Sequence, residues 1–250
     1  MTRPIEAVSP LPNIRDRIIV ALDVETADLA REISNELSGH VGAFKVGLQL
    51  FTTAGPSIVR EFAEAEKKIF LDLKFHDIPN TVAKASVEAA KLGVWMFNVH
   101  ASGGGEMMRT AVNGVGEACD KGNIRRPLMI GVTVLTSSNN ETLAEIGIDG
   151  GMEHQVVRLA RLAAESGLDG VVASPHEVEA VKRTVDQNDF IVVTPGIRAT
   201  FATDDDQKRV TTLREACARG SDYVVIGRPI TQAKDRLEAV ERLIQNKTSA

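Results

Sequence analysis

The segment Asp72-Leu73-Lys74-Phe75-His76-Asp77 puts four ionisable side chains within six residues. Side chains of an extended chain alternate, so Asp72 and Lys74 project to one side, about 7 Å apart along the strand, and Leu73 faces the other way. Two further charges stand in comparable contexts: Asp23 follows Ala21-Leu22, and Lys45 opens Lys45-Val46-Gly47. Carboxylates and ammonium groups gathered at one place can stabilise a developing charge or pass a proton. Aspartate and lysine are almost never fully buried without partners, so each of these groups needs the others. His76, between Phe75 and Asp77, is expected to orient its loop through a hydrogen bond, and His100 to be a satisfied strand-end histidine.

Short β-branched or apolar runs position these groups. Eight can be counted: Ile18 to Leu22, Ala43 to Val46, Ile69 to Leu73, Trp95 to Val99, Leu128 to Val134, Gly170 to Ala173, Phe190 to Val193 and Tyr223 to Ile226. Each is followed by a stretch of helical periodicity, the pattern of repeated βα units. Leu29, Ile33 and Leu37 recur every four residues, and Val240, Leu243 and Ile244 mark the last helix. Ser174-Pro175 predicts a helix start, and Asn80 or Thr81 is expected to cap a helix running from Val82 toward Leu92. Strands apolar on both faces and alternating with helices imply a covered parallel sheet. Eight units in about 230 residues favour closure, so the expected fold is α/β, a single-domain (β/α)8 TIM barrel. An open doubly wound sheet would want a glycine-rich turn after the first strand, where the chain has Asp23-Val24-Glu25. Gly103-Gly104-Gly105 reads as a tight βα turn.

In a closed barrel, chemistry collects at the carboxyl ends of the strands. Asp23, Lys45, Asp72, Lys74 and Asp77 are expected to converge on that mouth. A structural salt bridge could explain any one of them, since ion-pair networks also occur away from active sites. Five at consecutive strand ends favour a catalytic face. Phosphate recognition is expected after strands seven and eight. There Thr194-Pro195-Gly196-Ile197-Arg198 and Gly227-Arg228-Pro229 each offer a glycine and a guanidinium able to hold phosphate bidentately. The polar stretch from Ala199 to Arg209, with Asp204-Asp205-Asp206-Gln207, reads as a lid. Thr133-Val134-Leu135-Thr136-Ser137 supplies hydroxyls and backbone groups suited to an amide-bearing ring.

Composition narrows the class. The 250 residues are 43% apolar and 25% charged, ordinary for a globular domain. A net charge of −5, with 34 acidic and 29 basic residues interspersed, gives no footprint for a nucleic-acid backbone. Cys119 and Cys217 have neither disulfide nor zinc-site spacing and fit a reducing cytoplasm. Residues 1–16 carry three prolines and no apolar stretch of a signal peptide, so they read as a lead-in, with the barrel over residues 17–250. No membrane-spanning run is found.

Ala21-Leu22-Asp23, Lys45-Val46-Gly47, the run Leu71 to Thr81, Thr133 to Ser137, Pro195 to Arg198 and Ile226 to Pro229 together closely resemble the orotidine 5'-phosphate decarboxylase family over nearly the whole barrel. The long run after strand three is the most specific of these. The resemblance implies conversion of orotidine 5'-monophosphate to uridine 5'-monophosphate and carbon dioxide, the last step of de novo synthesis, without metal or organic cofactor. It implies Lys74 as proton donor to C6, with Asp72 beside the departing carboxylate. Asp77 and Thr81 would enter the neighbouring subunit's site, making the enzyme a homodimer with shared active sites. Asp23 and Lys45 would hold the ribose hydroxyls, Lys45 extending the charge array. Thr136 and Ser137 would read the pyrimidine, and Arg198, Gln207, Gly227 and Arg228 would take the phosphate. These residue types suit the reaction. Loss of carbon dioxide leaves an in-plane electron pair at C6 that an adjacent fixed cation can stabilise.

Two other readings compete. A related lyase such as 3-keto-L-gulonate 6-phosphate decarboxylase shares the Asp-x-Lys-x-x-Asp pattern but uses magnesium, and an ammonium at Lys45 would repel a divalent cation from the end of strand two. A non-catalytic nucleotide sensor would have no need of Asp72, Lys74 and Asp77 together.

Overall fold

A computed structural model describes residues 13–196 and 211–245. Eight strands, β1 (Ile18–Ala21), β2 (Ala43–Gly47), β3 (Ile69–Phe75), β4 (Met96–His100), β5 (Leu128–Val132), β6 (Gly170–Val172), β7 (Ile191–Pro195) and β8 (Tyr223–Ile226), pair in parallel in chain order, and β8 closes on β1. Every expected run coincides with a strand. β3 runs two residues further than expected, to Phe75, whereas β5 stops short, at Val132.

Strand alternation divides the apolar residues into two cores. Ile18, Val20, Val46, Ile69, Leu71 and Phe97 point outward and pack under the helices. Ile19, Ala43, Phe70, Met96, Ile191 and Tyr223 point inward and fill the barrel as a plug, closed at its amino end by Trp95 edge-on against Tyr223, with ring centroids 5.0 Å apart. Toward the carboxyl ends the inner faces of three strands turn polar: Ala43 gives way to Lys45, Phe70 to Asp72 and Lys74, and Met96 to Asn98 and His100. The plug is thus a dry floor under a charged mouth.

The helices follow the expected stripes, with corrections at two starts. Thr26 caps the helix Ala27–Glu36 by accepting the Leu29 N–H at 3.2 Å, and Ile33 and Leu37 are fully buried. The helix after β3 is Pro79–Lys91, flanked by Ile78 with no side-chain cap, so Asn80 and Thr81 lie inside its first turn instead of capping it. Proline supplies a helical φ and has no N–H to satisfy, which moves the start upstream of Val82. Ser174-Pro175 does not start a helix either. The Ser174 N–H bonds the Glu177 carboxylate at 2.9 Å and Glu177 N–H returns to the Ser174 carbonyl at 3.0 Å, closing a turn before the helix Val178–Thr184.

The amino end of the barrel is tied by carboxylates that satisfy strand N–H groups. Asp169 accepts the Met129 N–H at 2.7 Å and the Arg126 guanidinium at 2.9 Å, and Asp222 accepts the Val192 N–H and Lys182 Nζ, both at 2.7 Å. Asp169→Ala would strand a strand N–H and a half-buried guanidinium far from the mouth. It is expected to cost about 1–3 kcal/mol of stability. A lowered midpoint of urea unfolding is the result to look for.

Candidate active site

Asp72 is the hub of the mouth. Its Oδ1 accepts Lys74 Nζ at 2.6 Å and Asn98 Nδ2 at 2.7 Å, and its Oδ2 lies 3.3 Å from Lys45 Nζ. Lys45 in turn reaches Asp23 Oδ1 at 2.9 Å, so a continuous chain runs Asp23, Lys45, Asp72, Lys74 across three neighbouring strand ends. Burial works to raise the Asp72 pKa, but the Lys45 and Lys74 ammonium groups, with the hydrogen bonds from Lys74 and Asn98, hold it below the usual carboxylate range. Asp72 is therefore ionised throughout the neutral range. Lys45 is buried and Asp23 is exposed, so the chain opens to solvent at its β1 end and through Lys74. A Cβ at Gly47 would come within 2.8 Å of both Asp23 Oδ1 and Lys45 Nζ, so only glycine leaves that pair in place.

Lys74 reaches Asp72 along an irregular strand. Leu71 pairs with Phe97 and Phe75 with Val99, so four residue steps on β3 face two on β4. The surplus forms a bulge in which Lys74 takes φ 54°, a left-handed conformation that a side chain rarely adopts. Leu73 and Phe75 pack outward under the helices, and Lys74 faces the mouth. Its N–H, removed from the regular ladder, is taken by Asn98 Oδ1 at 2.8 Å.

Asn98 is the member of the site that the sequence reading passed over. It is 1% exposed and bonds both the Asp72 carboxylate and the Lys74 backbone. The available signal was its position: an amide on the inward face of a strand otherwise apolar up to that point, beside the Asp-x-Lys strand.

Asp77 does not join the array within one chain. It is exposed, its Oδ1 accepts the N–H of Ile78 at 2.7 Å, and it makes no ion pair with any described residue. Four of the five expected charges therefore converge, and the fifth pairs with none of them. Thr81 is exposed in the first turn of the following helix. Thr136 and Ser137 are exposed in the turn Leu135–Ser138 after β5, whereas the Thr133 hydroxyl is committed to the Val172 carbonyl at 2.8 Å. Gly227 and the exposed Arg228 follow β8, whose neighbour β1 leads to Asp23. Arg198 and Gln207 lie outside the described residues.

His76 departs from expectation. Among the described residues neither His76 nor His100 makes a side-chain hydrogen bond; the two rings pack instead, centroids 5.4 Å apart. Burial, followed by the nearby His76 and Lys74, pushes His100 below the ordinary imidazole range, with Asp72 opposing. A neutral ring beside Lys74 avoids adding another positive charge there.

Chemically, the mouth offers the ammonium of a partly exposed lysine held by an ionised, largely buried carboxylate, with a second ammonium behind. Such a preorganised set can stabilise an anion forming in front of Lys74 and hand it a proton. Among the described residues no helix is long and apolar enough to cross a membrane, and no three His, Cys, Asp or Glu side chains are grouped to hold a metal.

Residues 16–243 match the model of the orotidine 5'-phosphate decarboxylase / HUMPS family. The orotidine 5'-phosphate decarboxylase of Syntrophotalea carbinolica is 51% identical over 240 residues, covering 96% of this chain and 98% of that protein. The one from Geotalea uraniireducens is 49% identical, covering 92% and 94%. Among solved structures, orotidine 5'-phosphate decarboxylase from Lactobacillus acidophilus superposes with a TM-score of 0.79 at 38% identity, covering 91% of this chain and 97% of that one.

Proposed function

The chain belongs to the orotidine 5'-phosphate decarboxylase / HUMPS family and decarboxylates orotidine 5'-monophosphate to uridine 5'-monophosphate, and from that premise we propose that Lys74 meets the carbon from which carbon dioxide departs. The observation that carries this reading is the Lys45–Asp72–Lys74 chain, with Lys74 Nζ 2.6 Å from an ionised Asp72. As the C6–carboxylate bond breaks, its electron pair stays on C6 in the ring plane. The Lys74 ammonium stabilises that pair and gives it a proton, and the neutral amine regains one from water. Asp72 keeps Lys74 aimed during the approach. No imine forms, and no metal or organic cofactor is called on. The place between Asp23 and Asp72 where a divalent ion would find carboxylates holds Lys45 Nζ.

In this reading Asp23 and Lys45 hold the ribose hydroxyls, Thr136 and Ser137 read the pyrimidine, and Gly227 and Arg228 grip the phosphate with Arg198 and Gln207. Phosphate binding far from the broken bond supplies energy that organises the charged array. The catalytic unit is residues 17–250, with 1–16 as a lead-in, working in the cytoplasm without nucleic-acid or membrane partners. Its partner is a second copy of itself. The exposed Asp77, without an ion pair among the described residues, the 67% exposed Ile78 beside it, and a groove on the following helix lined by Ala83, Lys84, Ala85, Val87, Glu88 and Gly114 support a homodimer in which Asp77 and Thr81 complete the other subunit's site.

The assay that tests the cofactor-free reading uses purified protein exhaustively treated with chelator and supplied with orotidine 5'-monophosphate. Carbon dioxide release at the untreated rate is expected. Loss of release that magnesium restores would transfer the stabilising role from Lys74 to a metal.

A further inference from the structure

A bulge removes backbone hydrogen bonds from a strand, and something must take their place if the strand end is to hold a fixed shape. At β3 the gap opens where the reaction needs most order, between Asp72 and Lys74. The Lys74 backbone, at φ 54°, lies in a region that costs a non-glycine residue about 1–3 kcal/mol unless its surroundings enforce it. One side chain from β4 spans the gap. Asn98 Oδ1 accepts the Lys74 N–H at 2.8 Å and Asn98 Nδ2 donates to Asp72 Oδ1 at 2.7 Å, from a side chain with 1% exposure.

We infer that Asn98 is a positioning residue for the decarboxylation, a two-ended amide clamp that fixes the Asp72 carboxylate and the Lys74 backbone relative to each other. The chemistry of the position selects an amide. It must accept from an N–H and donate to a carboxylate at once, which a carboxylate, a hydrocarbon or a lone ammonium cannot do. Asp72 Oδ1 receives Asn98 and Lys74 together, so the amide also decides which lone pair is left for the lysine. Loss of the clamp frees the left-handed residue to relax and carries the ammonium off its line. A displacement of about 1 Å is enough to cost roughly 10²-fold in rate.

The inference rests on the reading of Asp72 and Lys74 given above, and the test separates the two. Asn98→Asp keeps the shape and the acceptor but replaces the donor by a second carboxylate. Asn98→Ser is the second variant, small enough to fold if the first does not. Both are measured for uridine 5'-monophosphate affinity, kcat, KM and the pH dependence of kcat, alongside Lys74→Ala. In each folded variant kcat falls about 10²-fold, with KM and nucleotide affinity near wild type. The acid limb of kcat moves to higher pH, because Asp72, still faced by Lys45, Lys74 and the half-buried His100, has lost a hydrogen bond to its charged form. A purely structural asparagine would lower the melting temperature and leave that limb where it was. Wild-type kcat and an unmoved limb in both variants would overturn the clamp while leaving Lys74 in its role. Wild-type turnover by Lys74→Ala would instead remove the reading on which the clamp depends.

Discussion

Lys74→Ala is expected to lose decarboxylation by roughly 10⁴-fold or more while still binding uridine 5'-monophosphate. The size follows from the two tasks assigned to one ammonium. A general acid contributes about 10²–10⁴-fold, and a fixed group aimed at developing charge about 10²–10³-fold. Even the lower product corresponds to roughly 5 kcal/mol of transition-state stabilisation. The variant should fold, because Asp72 keeps Lys45 and Asn98 as partners and is not left as an uncompensated buried charge. Asp72→Ala is the poorer experiment, since it would leave Lys45 and Lys74 facing each other with no carboxylate between them. Carbon dioxide release and calorimetric titration with uridine 5'-monophosphate, run on the same preparation, separate the lost chemistry from retained binding. Turnover within about tenfold of wild type would take the central role from Lys74.

Mixing Lys74→Ala chains with Asp77→Ala chains is expected to restore activity that neither has alone. In a shared-site dimer each mixed pair has one site with Lys74 from one chain and Asp77 from the other, and one site lacking both. Random reassociation makes half the dimers mixed, so the recovered specific activity should approach about a quarter of wild type, as a two-fold symmetric interface requires. Among the described residues the exposed Asp77 bonds only the next N–H of its own chain, so a loss of activity on its removal points to a task in the partner's site. Unmixed controls should stay inactive. No rescue after demonstrated subunit exchange would place Asp77 outside the catalytic array.

How far the sequence foretold these features depends on the kind of interaction. The eight strands were legible because β-branched runs buried on both faces, such as Ile18-Ile19-Val20, leave little conformational choice. The mouth was legible because Asp23, Lys45, Asp72 and Lys74 interrupt such runs at their carboxyl ends, where charge needs a partner. Helix starts at Pro79 and after Glu177 were misplaced, the first because proline opens a helix without a side-chain cap and the second because Ser174 and Glu177 close a turn ahead of it. Asn98 was missed for a deeper reason. Alternation places it on the inward face of β4, but the two bonds it makes depend on the register of β4 against a bulged β3, which is non-local. The packing of His76 on His100 is of the same kind, arising from two strand ends brought side by side by the pairing of β3 with β4.

The bulge has a consequence in parity. Its surplus over β4 is two residues, an even number, so Leu71 and Phe75 at its two edges both face the helices and the strand leaves the irregularity in phase with its neighbour. A surplus of one would exchange the faces beyond it, turning Lys74 into the apolar layer and a phenylalanine into the mouth. The local length of this strand is therefore quantised. The segment can lengthen by a pair beside Leu73 and still present its lysine to the same side, whereas a single-residue insertion there inverts the catalytic face without altering any residue that acts there.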